Sequence, residues 1–192
     1  MITDVAIDLD GVLYPFSREF HTFCSKALGA PDLPHAKHWH FYEDWGLSEN
    51  EYNHLLLEAV HAGVFIEGRP PLSSRTVWGL LKMAGIRIHI ITARPPEAWA
   101  DTTWWLQEHG LLADSLHFTD NKALFSGIVG NGMGMMLDDA PKYLQSVKSC
   151  ANVIPVAFDQ PWNRDFDCLR TQTLLGFSRL VELYNRQEEE KW

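Results

Sequence analysis

Asp8 and Asp10, one residue apart, close an apolar run in the segment Val5-Ala6-Ile7-Asp8-Leu9-Asp10-Gly11-Val12-Leu13-Tyr14. Apolar and β-branched residues favour a strand up to Asp8, and Gly11 lets the chain turn sharply after it. Side chains alternate along a strand, so the two carboxylates project to one side and Leu9 to the other. Like charges that close repel unless a cation neutralises them or one carboxyl keeps its proton. Either arrangement suits phosphoryl transfer, where one carboxylate attacks phosphorus and the other moves a proton. The plainer alternative is a strand that ends in an acidic turn.

Three more elements could join the pair. Ile86-Arg87-Ile88-His89-Ile90-Ile91 reads as a strand that delivers Thr92-Ala93-Arg94-Pro95-Pro96. Lys122 opens a short helical stretch, and Met133-Gly134-Met135-Met136-Leu137 runs into Asp138-Asp139-Ala140-Pro141. Each group falls at the carboxyl end of a strand or in the loop after it, where open parallel α/β sheets bind ligands. Ordinary roles exist for each. Thr92 could simply finish a strand, Lys122 could be a solvated lysine, and Arg94 could pair with an acid at the surface. Asp139, two residues before Pro141, is placed to cap a helix. Asp138 has less excuse, because an unpaired carboxylate at the end of a buried strand is costly without a cation.

The elements that would position these groups divide the chain in two. Residues 17–69 read as helical and aromatic with no convincing strand. From Pro70 onward helices and strands alternate, which predicts a doubly wound (Rossmann-like) parallel α/β sheet. Ser73 is placed to cap a helix with Val77, Leu80, Leu81 and Ala84 on one face, ended by Gly85. Pro95-Pro96 starts another, with Trp99, Thr102, Trp105 and Leu106 on one face and Gly110 at its end. Strands are expected at 115–118 and 152–157, a helix from Pro141 to Ser149, and a final amphipathic helix that dissolves at 187–191.

Bulk properties fit an ordinary soluble globular protein. The chain has 192 residues, 46% hydrophobic and 21% charged, and carries a net charge of −9. That charge disfavours gripping a nucleic-acid polymer through its phosphates, though it leaves room for a single nucleotide in a locally positive pocket. Cys24, Cys150 and Cys168 have no paired spacing, which suggests a reducing, cytoplasmic setting. No apolar segment approaches membrane-spanning length, and the early strand leaves no room for a signal peptide.

The order Asp-x-Asp, Thr, Lys, Asp-Asp resembles the haloacid dehalogenase-like superfamily of phosphatases. That resemblance implies a core of residues 1–16 and 70–192 and a small helical cap, 17–69, inserted after the first strand. It also implies Asp8 as nucleophile and Asp10 as general acid and base. Magnesium would be held by the carboxylates of Asp8 and Asp138 and the backbone carbonyl of Asp10, with Asp139 supporting. Phosphate would be held by Thr92, Ala93, Lys122 and, in one reading, Arg94. Asp8-Leu9-Asp10-Gly11-Val12-Leu13, Phe16, Thr92-Ala93-Arg94-Pro95, Asp138-Asp139 and Phe158-Asp159-Gln160-Pro161-Trp162-Asn163 are similar to the 5′(3′)-deoxyribonucleotidase family. The implied substrate is a nucleoside monophosphate, its base against Phe16, with Trp39, Phe41, Tyr42 and Trp45 as further stacking candidates. Those four could equally form the cap's own core.

Two other readings stay open: a phosphatase of the same superfamily for another small substrate such as a sugar phosphate, and a non-catalytic receiver-like module. A monomer and a homodimer are both compatible. His35, His38 and His40 match no familiar zinc spacing. Gly127, Gly130, Gly132 and Gly134 lack the lysine of a phosphate loop.

Overall fold

The computed structural model describes residues 1–190. Strands β1 (Ile2–Ile7), β2 (Arg87–Thr92), β3 (Ser115–Phe118), β4 (Met133–Asp138), β5 (Val153–Phe158) and β6 (Leu169–Thr171) form one sheet. Their order is β3-β2-β1-β4-β5-β6, with every pairing parallel. Such a sheet reverses direction between β1 and β4, and the crevice at that reversal is where doubly wound folds bind ligands. Receivers follow the order 2-1-3-4-5 instead, so the receiver-like reading fails on topology.

Helices α1 (Phe16–Ala27), α2 (Glu49–His61), α3 (Val64–Glu67), α4 (Ser74–Met83), α5 (Trp99–Glu108), α6 (Leu124–Val129), α7 (Pro141–Lys148) and α8 (Leu174–Glu189) complete the chain. β1 and β4 lie in the middle of the sheet, which explains their nearly continuous burial and the apolar runs Val5–Ile7 and Met135–Leu137. One core cluster joins Val5, Ile7, Ile88, Ile90, Met135 and Leu137 to Trp78, Trp105 and Phe177. A separate cluster, Phe20, Phe41, Leu55, Ala59, Val64 and Phe65, holds α1, α2 and α3 together, with Ala98 at its edge. Ser48 starts α2 with a reciprocal capping box to Glu51.

Several sequence expectations need correction. Ser73 makes no side-chain cap, and Leu80 is exposed while Trp78 and Leu81 are buried. On α5, Trp99 is likewise exposed and Trp105 carries the packing. Helical spacing identifies a stripe but not its width, and these residues lie at its edge. The last helix continues to Glu189 instead of dissolving at Gln187, and Lys191 lies outside the described residues. β6, three residues long, had no periodicity to announce it.

Buried polar groups under the sheet are paired. Asp4 on β1 accepts from Arg87 Nη2 at 2.9 Å, from Thr3 Oγ1 at 2.7 Å, and bonds His89 Nε2 at 2.9 Å. Burial works against its charge, but these bonds outweigh it and hold the carboxyl below its ordinary value. A depressed folded-state pKa stabilises the fold above the unfolded value and is lost as pH falls through the folded one. Asp4→Ala is therefore expected to cost about 1–3 kcal/mol at pH 7. The deficit should begin to shrink below about pH 4, where the unfolded chain's carboxyl takes up its proton, and should fall further as pH passes through the lowered folded-state value. Urea melts of both proteins at pH 7 and pH 3.5 check this, and a deficit independent of pH would contradict it.

Candidate active site

Parallel pairing brings the carboxyl ends of the two central strands side by side. Ile7 is in register with Leu137, and Asp8 N donates to Leu137 O at 3.0 Å, so Asp8 lies beside Asp138. Beyond Asp8 the backbone amides of Leu13 and Tyr14 both fold back on Leu9 O, at 2.8 and 2.7 Å, which tightens the turn that carries Asp10. Gly11 has φ +83°, and a Cβ there would lie 2.1 Å from Asp139 Oδ2. Glycine is required at that position for both conformation and space.

Lys122, fully buried, lies between two of these acids. Its Nζ is 2.9 Å from Asp8 Oδ1 and 2.6 Å from Asp138 Oδ2. Burial opposes its charge, but the carboxylates of Asp138 and Asp8 more than restore it, and its pKa is raised. The Asp8 carboxyl is pushed up to about 7, chiefly by burial, against the pull of Lys122 and with help from the charges of Asp138 and Asp10. Asp139 is likewise raised well above its ordinary value, by burial and then by Asp138 and Asp8. Asp139 does not cap α7: no side-chain cap bond is made, and Ala140 N donates instead to Asp138 Oδ1 at 2.8 Å.

The site fits a hard divalent cation. Asp8, Asp138 and Asp139 each offer an oxygen, all within 4.8 Å of one another. Asp139 Oδ1 is buried with no hydrogen-bond partner, and a single ammonium cannot balance three carboxylates. An orphaned oxygen in an all-carboxylate cluster is what an oxygen-seeking ion would satisfy.

A cleft of about 280 Å³ opens above these acids. Asp8, Asp10, Ala93, Arg94, Asp139, Phe16, Trp39, Phe41 and Tyr42 line it. Thr92, Lys122, Asp138 and Trp45 are not among the lining residues. Thr92 is buried at the end of β2, its Oγ1 accepting from Arg94 N at 3.2 Å. Trp45 packs on Phe20 and Phe41, and its Nε1 donates to Pro34 O at 2.8 Å. It serves the small helical cluster. Arg94 is not at the surface either: its buried guanidinium pairs with Asp10.

Other lining residues carried no sequence signal. Tyr52 and Leu56 come from α2, Phe65 from α3 and Tyr143 from α7. Lys142 also lines the cleft, its ammonium 4.6 Å from the Tyr143 ring centre and 5.9 Å from that of Trp39. The loop after β5 acts as a brace. Gln160 Nε2 donates to Gly11 O at 3.0 Å, while Trp162 Nε1 and Asn163 Nδ2 donate to Asp139 O at 3.1 and 2.8 Å. One short segment thus ties together the two acidic loops.

Solved structures share this architecture. A haloacid dehalogenase-like family hydrolase from Streptococcus pneumoniae superposes with a TM-score of 0.70 at 16% identity, covering 94% of this chain and 98% of the other. A predicted phosphoglycolate phosphatase from Haemophilus somnus gives 0.67 at 14%, over 94% and 98%. L-2-haloacid dehalogenase from Xanthobacter autotrophicus gives 0.59 at 11%, over 95% and 99%. Identities this low establish the fold alone, and the fold is haloacid dehalogenase-like. No curated protein sequence matches the chain. The family model described as 5′ nucleotidase, deoxy (pyrimidine), cytosolic type C protein matches residues 1–187. The chain belongs to that family, and is a haloacid dehalogenase-type, 5′-nucleotidase-like phosphatase. No helix among the described residues is long and apolar enough to cross a membrane.

Proposed function

We propose that the chain is a magnesium-dependent phosphomonoesterase that dephosphorylates deoxyribonucleoside monophosphates through a phosphoaspartyl intermediate. The observation that carries this is the cleft itself: the paired acids Asp8 and Asp10 at its base and aromatic rings around it. Residues 1–16 and 70–192 serve as the catalytic core and 17–69 as the cap, in a reducing cytoplasmic setting that suits three free cysteines.

Asp8 attacks phosphorus as the bond to the leaving oxygen breaks, and Asp10 gives that oxygen its proton. Asp10, now a carboxylate, takes a proton from water, which attacks the acyl phosphate and returns Asp8. Lys122 holds Asp8 in place and offsets its charge, while the Ala93 backbone faces the phosphoryl group and buried Thr92 fixes the turn beside it. Magnesium, held by Asp8, Asp138 and the Asp10 carbonyl with Asp139 in support, would offset repulsion between the anionic nucleophile and phosphate. Phe16, stacked on Phe20 at 5.0 Å and near Phe65 at 6.1 Å, presents a ring supported from behind. Tyr42, Phe41 and Trp39 line the same cleft.

Glu49, Asn53 and Lys142 also line the cleft, and such groups would suit a sugar phosphate. A substrate panel with magnesium separates the two readings. Stacking on an aromatic ring contributes about 1–3 kcal/mol, so nucleoside monophosphates should exceed ribose 5-phosphate roughly 10- to 100-fold in kcat/KM. Phe16→Leu, which keeps the packing on Phe20, should erode that advantage and spare turnover of p-nitrophenyl phosphate. Equal efficiency on both classes, indifferent to Phe16→Leu, would favour the sugar phosphate.

A further inference from the structure

Arg94 stands where the sequence offers a phosphate ligand, but each of its three nitrogens already holds a partner within the fold. Nε lies 3.1 and 3.0 Å from the two oxygens of Asp10, and Nη2 lies 2.7 Å from Oδ1. Nη1 donates to Thr102 Oγ1 on α5 at 3.0 Å. The guanidinium carbon rests 4.5 Å from the ring centres of both Tyr14 and Phe65, and the side chain is wholly excluded from solvent. Turning to a phosphate would break the pair with Asp10 and leave that carboxylate without its cation.

The holder is itself held. Tyr14 Oη donates to Val64 O and accepts from Gly68 N at 3.3 Å, and Trp105 Nε1 donates to Gly68 O at 2.6 Å. Arg94 is thereby fixed by α5 of the sheet layer and by α3 of the helical cluster. Phe65, one of its two aromatic supports, packs on Phe16 at the cleft wall. Asp10 retains partial exposure and lines the cleft. Its Oδ1 takes two of the three bonds, so Oδ2, with one, is the oxygen left for proton exchange.

We infer that Arg94 is a positioning residue that aims Asp10 at the leaving oxygen, and that it thereby sets which leaving groups the enzyme can expel. The inference rests on the reading of Asp10 as acid and base. A leaving alkoxide must receive a proton as the P–O bond breaks, whereas nitrophenolate leaves without one. Misaiming Asp10 should therefore penalise alkyl esters selectively.

The test compares Arg94→Met and Arg94→Lys with wild type on a nucleoside 5′-monophosphate and on p-nitrophenyl phosphate. The parameter is kcat/KM, which reports steps through the first irreversible one. Arg94→Met should lose about 10²–10³-fold on the nucleotide and less than about tenfold on the aryl ester. Inhibition by inorganic phosphate should stay within about threefold, and Arg94→Lys should recover part of the nucleotide rate. In an Asp10→Asn background, Arg94→Met should add little, because residues acting as one unit are not additive. Equal losses on both esters, or additivity with Asp10→Asn, would overturn the inference. Weakened phosphate inhibition with the leaving-group difference absent would return Arg94 to the phosphate. Wild-type failure on the nucleotide, with p-nitrophenyl phosphate still hydrolysed, would instead count against the nucleotidase reading.

Discussion

Asp8→Asn is expected to lower kcat for phosphoester hydrolysis by about 10⁴-fold or more, because the substitution removes the attacking oxyanion and nothing nearby replaces it. Asp10 is turned toward Arg94, Asp138 is sealed beneath the cleft, and Asp139 sits across Gly11. The fold should tolerate the change. Burial raises the Asp8 carboxyl to about 7, so the native state resists its charge, and a neutral isostere removes that penalty. Lys122 keeps its 2.6 Å contact with Asp138. The melting temperature of the metal-free variant should equal or exceed that of wild type above pH 7. Phosphate release and thermal melts on one preparation check both halves. Turnover within tenfold of wild type would remove Asp8 from the nucleophile's role, whatever the melts showed.

Asp8, Asp10, Asp138 and Asp139 were legible because each is set by a local rule: an apolar strand that ends in acids, followed by a turn. Parallel pairing of β1 with β4 converts those local signals into one cluster without further instruction. Arg94 was ambiguous for the opposite reason. Whether it meets phosphate, solvent or Asp10 depends on Tyr14, Phe65 and Thr102, which come from three other parts of the chain. Tyr52, Phe65, Lys142 and Tyr143 had no motif, since they reach the cleft only after the helices pack. The segment Gln160–Asn163 announced itself as a resemblance without a reason. Its bonds to Gly11 O and Asp139 O give the reason: it bridges the two acidic loops from beyond the end of β5. Among the cap aromatics, spacing could not separate Trp45, which supports the helices, from Tyr42, which faces the cleft.

Removing divalent metal is expected to abolish turnover, and returning magnesium to restore it. The physical ground is the imbalance of three buried carboxylates against one ammonium, with Asp139 Oδ1 unpaired. Unfolding scatters those carboxylates, so an ion that binds them binds the folded chain alone and stabilises it. At a magnesium concentration 100 times Kd the gain is about 2.7 kcal/mol. For a domain of this size that corresponds to a rise in Tm of roughly 5–11 °C. Asp138→Asn keeps the acceptor for Ala140 N but sets an amide NH2 against Lys122 in place of the second oxygen, and lowers the charge of the cluster. It should raise the magnesium concentration needed for half the Tm shift by about tenfold or more, in parallel with the concentration needed for half-maximal rate. The thermal readout requires no substrate, so it separates loss of metal from loss of chemistry. Full activity in excess EDTA, or a melting temperature indifferent to magnesium, would leave Lys122 as the sole counterion and sink the metal-assisted route.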